Sequence, residues 1–411
     1  MYRFLALASS AFLWAASNLA APPEVGKVLP PWQEGTLDIH QINTGHGNSA
    51  LFIFPDGTTM LVDAGAIAKR TPGMTPPRPD DSRPPGEWIA RYIAMALRGR
   101  KEVALDYAIV THFHGDHMGD LGGFMPQAEG KGYQLCGMTE VGDRVRIRKM
   151  LDRGWPDYPY LPDVSRPSLA NYRAFLKWQT EHNGMKVERF QPGRNDQVVL
   201  QHQREKYPTF ELRNIAATGE VWTGLGSVTR HMFPPLDAIP AAERPTENMC
   251  SIAFRISYGR FDYYSGGDLP GVPMDGKPQW HDMETPVAKA VGPVEAAVAN
   301  HHGYFDTQNE FFVSALRPRV WILPSWGASH PAQTVLYRLQ NGGAYGPRDI
   351  FATEIHQATR VVLAATSKLA SLRGHVVLRV EPGGETFRVM ILDDTSESLQ
   401  VKGVFGPYDC R

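Results

Sequence analysis

Seven consecutive residues, Thr111-His112-Phe113-His114-Gly115-Asp116-His117, carry three imidazoles and a carboxylate. In an extended or turning segment alternate side chains share a direction, so His112 and His114 can reach one cation. Gly115 permits a sharp turn, after which Asp116 and His117 can face a second position beside the first. Imidazole and carboxylate are zinc ligands, and oxygen-richer sets also take manganese. The spacing therefore predicts two divalent metal ions, zinc first and manganese second. Two such ions about 4 Å apart can bridge a water, lower its pKa and hold it as hydroxide. That metal-bridged hydroxide attacks an electrophilic centre with no Ser or Cys nucleophile. Asp116 is expected to orient it besides binding metal.

Further ligands must come from other chain segments. Asp268 closes Ser265-Gly266-Gly267-Asp268, and its two oxygens suit it to bridge two ions. Taken alone it would be a turn Asp. His301-His302-Gly303 follows an apolar strand in the same manner, and His231 in Val228–Pro235 is a further candidate. Asp63 is expected to orient a ligand histidine by a hydrogen bond rather than to bind metal itself. His46 and His330 are candidate substrate contacts; a turn histidine and a helix-start histidine are their bland readings.

These residues need elements to position them. Residues 36–43 alternate apolar and polar, and with Ala50–Phe54 and Thr59–Val62 they read as strands around turns at 44–49 and 55–57. A Pro-rich loop covers 71–86. Helical spacing follows at Trp88–Leu97, and Leu105–Val110 is a strand running directly into the histidine turn. The motif thus sits at a strand's carboxyl end, where open α/β sheets place their chemistry. From 125 to 230 the pattern is irregular, apart from a helix within Ser168–Gln179. Residues 131–230 carry 16 Lys/Arg against 11 Asp/Glu, which suggests a mildly basic insertion at the site's rim. Arg144, Arg146 and Arg148 alternate with apolar residues as the solvent face of a strand would. Strands are expected again at 251–258, 260–264, 294–299, 320–323, 361–365, 374–380 and 387–392, with helices near 287–290, 311–316 and 332–339. Trp178, Trp222, Trp280 and Trp326 are expected to pack rather than to line a cleft.

The chain has 411 residues, 42% hydrophobic and 21% charged, with net charge -1. That composition is globular and gives no support to a life on nucleic acid. Arg3, an apolar run over Phe4–Ala16 and the small residues Ala20 and Ala21 before Pro22-Pro23 have the order of a secretory signal peptide. We expect residues 1–21 to be that leader and the mature chain to be secreted or periplasmic. The apolar run is shorter than the roughly 20 residues a spanning helix needs, so no stable membrane span is expected. Cys136, Cys250 and Cys410 lack a C-x-x-C partner, which disfavours a thiolate zinc site.

The order of these motifs resembles the metallo-β-lactamase-fold hydrolases, in the branch similar to the C-terminal domain of the competence protein ComEC. Leu37–Ile42 with Gly45-His46-Gly47-Asn48-Ser49 resembles the opening strand and its G-Q-G-D-S turn. Leu61-Val62-Asp63-Ala64-Gly65 resembles L-I-D-T-G, and residues 105–123 resemble the histidine motif with its trailing glycines. Glu247–Ser251 with Ser265–Asp268 resembles the N-x-x-S strand and T-G-D turn. Val298–Gly303 resembles V-P-H-H-G, and His330-Pro331 resembles a late H-P pair. The resemblance implies an α/β αββα sandwich of two mixed sheets flanked by helices, with the metals at one edge and residues 22–411 as one domain. It also implies His112, His114, His231 and Asp268 on one metal, and Asp116, His117, Asp268 and one of His301 and His302, here taken as His302, on the other. His46 and Asn48 replace the family's Gln and Asp, which alters the polarity of that rim. The membrane channel segments of the DNA-uptake protein are lacking, so transport is not implied. The substrate expected first is a phosphodiester or other phosphate ester outside the cytoplasm. The alternatives are hydrolysis of a lactone, thioester or β-lactam at the same site, or a non-catalytic metal-binding protein.

Overall fold

The computed structural model describes residues 22–122, 125–162, 164–341 and 346–411; the expected leader, 1–21, lies outside them. The chain opens with an antiparallel meander, β1 (Leu37–Gln41), β2 (Ala50–Ile53) and β3 (Thr59–Val62), followed by α1 (Pro85–Ala96) and β4 (Ala104–Val110). A single-turn helix α2 (Gly115–Met118), then α3 (Met138–Arg144), β5 (Arg146–Asp152), α4 (Arg166–Asn183) and β6 (Lys186–Arg189) come next. The middle of the chain supplies β7 (Glu211–Ala217), β8 (Glu220–Trp222), β9 (Thr229–His231), β10 (Ala253–Tyr258) and β11 (Phe261–Ser265). It continues as α5 (Glu284–Val291), β12 (Ala296–Val298), α6 (Glu310–Leu316), β13 (Val320–Leu323), α7 (Gln333–Asn341) and β14 (Asp349–Ala352). The chain closes with α8 (Gln357–Val362), β15 (His375–Val380), β16 (Thr386–Leu392) and β17 (Val401–Asp409).

These strands make two mixed sheets. The first has nine strands in the order β17-β16-β15-β1-β2-β3-β4-β5-β6, and the second has eight in the order β14-β13-β12-β11-β10-β7-β8-β9. The parallel portions are β3 to β6 in the first sheet and β11 to β14 in the second. Alternation along each strand explains the layering. Phe52 and Met60 face the second sheet and join Phe254 and Tyr263 in an inter-sheet core. Their neighbours Leu51 and Leu61 face outward and pack with Ile89 and Ile93 of α1 and Phe175 of α4. Phe52 meets Phe254 and Tyr263 edge-on at 6.0 and 5.7 Å, contacts worth about 0.5–1.5 kcal/mol each beyond their area. On the far side Trp321, Leu323 and Val287 form the core beneath α5, α6 and α7. The result is the expected helix–sheet–sheet–helix stack.

The local chemistry of α1 and α4 is legible: Pro85 and Pro167 stand in first turns, where a missing N–H costs nothing, and Gly184 ends α4 at φ 66°. Three readings need correction. The segment 125–230, read as irregular apart from one helix, supplies β5 and β6 to the first sheet and β7, β8 and β9 to the second. Its turns are dense in Gly and Pro, which obscured short strands. Residues 361–365, expected as a strand, are the end of α8 and the 3-10 turn after it. Val361 and Val362 are 79% and 76% exposed, so their apolar character marks no buried sheet position. Arg146 and Arg148 lie on the solvent face of β5, where Glu102 bridges to both, whereas Arg144, expected on the same strand, ends α3. The three cysteines are buried.

Candidate metal centre

The histidine motif leaves the carboxyl end of β4, Asp268 follows β11 by three residues, and His301 and His302 follow β12. The parallel portions of both sheets therefore deliver their strand ends to one place. Asp268 lies against the motif because Ile252 N–H donates to the Thr111 carbonyl at 3.0 Å, and Ser251 Oγ receives the Asp268 N–H at 3.1 Å. Gly47 and Gly65 let the first turn touch Asp116: a Cβ at either would sit 2.3 or 2.1 Å from the Asp116 carbonyl oxygen. That closeness lets Asn48 N–H reach the same oxygen at 2.8 Å.

Two ligand sets result, and they share Asp268. In one, the Nε2 of His112 lies 3.2 Å from Nδ1 of His114 and 3.6 Å from Oδ2 of Asp268. In the other, the Nε2 of His117 lies 3.0 Å from Oδ1 of Asp268 and 3.3 Å from Nε2 of His302, which is 3.1 Å from Oδ2 of Asp116. Ligand atoms at about 2.0–2.2 Å from a tetrahedral ion are separated by roughly these distances. Convergence of imidazole nitrogens on each other and on a carboxylate suits a shared cation. Oδ1 of Asp268 is buried with no hydrogen-bond partner among the described residues, as an oxygen reserved for a metal would be. The donor set thus fits two divalent cations.

The rings are aimed from behind. Asp63 Oδ2 accepts from His117 Nδ1 at 2.6 Å, and the carboxylate is itself fixed by Thr111 N, Thr111 Oγ1 and Asn48 Nδ2. The Nδ1–H of His302 donates to the Pro324 carbonyl at 3.1 Å. Each contact places the proton on Nδ1 and leaves Nε2 as the ligand atom. Burial favours neutral groups here, yet His117 and His302 hold the Asp116 carboxyl well below its ordinary range. For His117, burial is likewise outweighed by Asp268, Asp63 and Asp116, which keep the imidazole well above its usual value. His112 goes the other way, pushed well down by burial and by His117.

Most of the expected residues meet here: His112, His114, Asp116, His117, Asp268 and His302 in the two sets, His301 beside them, and Asp63 behind His117. His231 does not. It is exposed at the end of β9, four strands from β11 in the sheet order, or roughly 19 Å at ordinary strand spacing. Its ring rests on Phe233. Asn48 is a buried support, donating to Asp63 and accepting from Gln41, not a rim group. His46 lines a separate cavity of about 330 Å³ with Arg70, Cys136 and Glu140. His330 is buried with its ring 5.1 Å from that of His302.

Several contributors escaped sequence reasoning. Trp326 stands 5.7 Å from His302 and 5.1 Å from His330, and its Nε1, like His330 Nδ1, is buried without a partner among the described residues. Glu247 receives the Phe113 N–H at 2.9 Å and is paired with buried Arg153, so it fixes the middle of the histidine motif. Glu284 accepts from Asn300 Nδ2, Gln308 N and Asn309 N, each at 2.8 Å, and so braces the turn bearing His301 and His302. Nothing in the spacing of Glu284 named a partner.

Two mixed sheets flanked by helices, with paired His/Asp sets at their strand ends, are consistent with the metallo-β-lactamase superfamily fold, whose members are mostly hydrolases. The metallo-beta-lactamase superfamily model matches residues 43–129, which hold the first turn, the Asp63 strand end and the histidine motif. No curated protein matches the chain.

Proposed function

We propose that this protein is a binuclear metal-dependent hydrolase, exported from the cytoplasm, that acts on a phosphodiester or other phosphate ester. The observation that carries the reading is the pair of adjoining ligand sets joined by Asp268. Two divalent cations held there, zinc first and manganese second, would supply an activated water and offset charge on the substrate's oxygens.

The chain's own residues do the rest. One carboxylate oxygen of Asp116 faces His302, so the other is available to accept a hydrogen bond from the attacking water and orient it. Asp63, Pro324 and Glu247 hold the ring and backbone geometry that this alignment requires. Trp326 and His330 offer polar atoms beside the site that lack partners among the described residues, and a substrate oxygen would satisfy them. The phosphate-ester reading is supported by the likeness of motif order to the ComEC branch. Export is supported by the leader-like order of residues 1–21. No helix among the described residues is long and apolar enough to cross a membrane.

The substrate class is tested with zinc- or manganese-loaded protein on bis-p-nitrophenyl phosphate, nitrocefin and a lactone panel. Turnover of the phosphodiester well above the others is expected. Efficient nitrocefin or lactone hydrolysis with an inert phosphodiester would replace the substrate assignment.

A further inference from the structure

His301 stands at the centre outside both ligand sets, and a carboxylate backs its ring as one backs a ligand's. Its Nδ1–H donates to Asp306 Oδ1 at 2.8 Å, the same carboxylate-behind-imidazole arrangement that Asp63 provides for His117. The Nε2 is thereby left as the lone-pair atom, 3.8 Å from Oδ2 of Asp268. That oxygen is the one facing His112, whereas Oδ1 faces His117 and His302. Asn248 Nδ2 lies 3.3 Å from the same Nε2 and would yield that lone pair to a bound cation.

The backbone agrees. His301 and His302 both occupy the left-handed region, at φ 47° and 57°. Successive residues with a Cβ seldom tolerate that conformation, and such strain collects at ligand sites. Here it directs two neighbouring imidazoles, with ring centroids 6.1 Å apart, to opposite oxygens of one carboxylate. The set of His112, His114 and Asp268 has three protein donors, and His231, expected as its fourth, is remote on β9.

We infer that His301 completes the metal site of His112, His114 and Asp268, so that the His301-His302 pair is divided between the two ions, with Asp306 orienting His301. This rests on the two-metal reading above.

Zinc stoichiometry and affinity, measured by metal analysis and chelator competition on the full protein, test it without reference to turnover. Wild type and His231→Ala are expected to hold two zinc ions each. For His301→Ala, one ion should remain tight and the other weaken about 100-fold, with unchanged far-UV circular dichroism. Retention of both ions by His301→Ala, within about threefold of wild-type affinity, overturns the assignment. If His301→Ala loses both ions or its fold, Asp306→Asn decides: one ion weakened about tenfold supports the inference, and unchanged affinities overturn it. A wild type that binds fewer than two ions removes the two-metal reading and this assignment with it, so the two failures are distinguishable.

Discussion

At Asp63, φ is 60°, and the carboxylate turns back to meet His117, Thr111 and Asn48. Removing its charge should loosen the His117 ring without removing a metal ligand. Asp63→Asn is expected to weaken binding of one ion by about 10–100-fold, read by chelator competition, while the fold persists. Unchanged affinity would mean that the ring is held by packing alone. The histidine motif was legible as chemistry because its ligands are adjacent in sequence. His231 misled because a lone histidine near Pro and aromatic residues carries no information about which strand of a sheet it ends on. Trp326, Asp306 and Glu284 were opaque for a related reason: their roles lie in contacts to residues far along the chain or in turns whose geometry has no period.

The strand ends from both sheets are joined beneath the site by a buried pair. Arg153, just after β5, reaches Glu247, which in turn holds Phe113 N–H, and the guanidinium lies 4.6 Å over the Phe113 ring. Both charged side chains are buried, at 1% and 0% exposure, so removing one strands the other in a medium that cannot solvate it. Arg153→Met is expected to destabilise the protein by about 3–5 kcal/mol in a urea titration. It should also weaken zinc binding, because the middle of the histidine motif loses its anchor. A shift of only a few tenths of a kcal/mol would show that the pair does not carry the motif. At this scale the meander, β4, α6, β13 and β15 lie where periodicity placed them, within a residue or two, and α1 begins three residues before the expected Trp88. The strands β6, β8 and β9 were not, since three or four residues give too little pattern to count, and β7 was lost in the irregular stretch around them. The edge strand β17 hides similarly behind Gly403, Gly406 and Pro407.

Across the whole molecule, stability should depend on both metal and pH. Zinc at a thousandfold excess over its Kd is expected to add about 4 kcal/mol, seen as a higher Tm that chelation reverses. A Tm indifferent to zinc and to chelator would argue against ordered metal sites. Burial pushes the His375 imidazole down to about 3, reinforced by His40, with Nδ1 accepting from Asn43 N–H. The unfolded chain therefore binds a proton at His375 that the fold refuses between pH 6.5 and about 3. Stability should fall by about 1.4 kcal/mol for each pH unit of acidification in that window. Burial opposes the Asp38 carboxylate, but Arg379 across β1 and β15 outweighs it and lowers the group to about 2. Its contribution is present above its ordinary value of 3.8 and disappears as pH falls through about 2. His375→Asn, which keeps an acceptor for Asn43, should flatten the slope between pH 6.5 and 3 relative to wild type; equal slopes would place the acid sensitivity elsewhere.

Metal titration of the chelated protein against hydrolysis of bis-p-nitrophenyl phosphate tests the central claim most directly. The two-metal account predicts that chelation abolishes turnover and that activity returns in step with zinc or manganese, saturating at two ions per chain. His112→Ala combined with His114→Ala should bind fewer ions and recover no activity. Turnover that survives complete chelation, or that saturates in this double variant as in wild type, would contradict it.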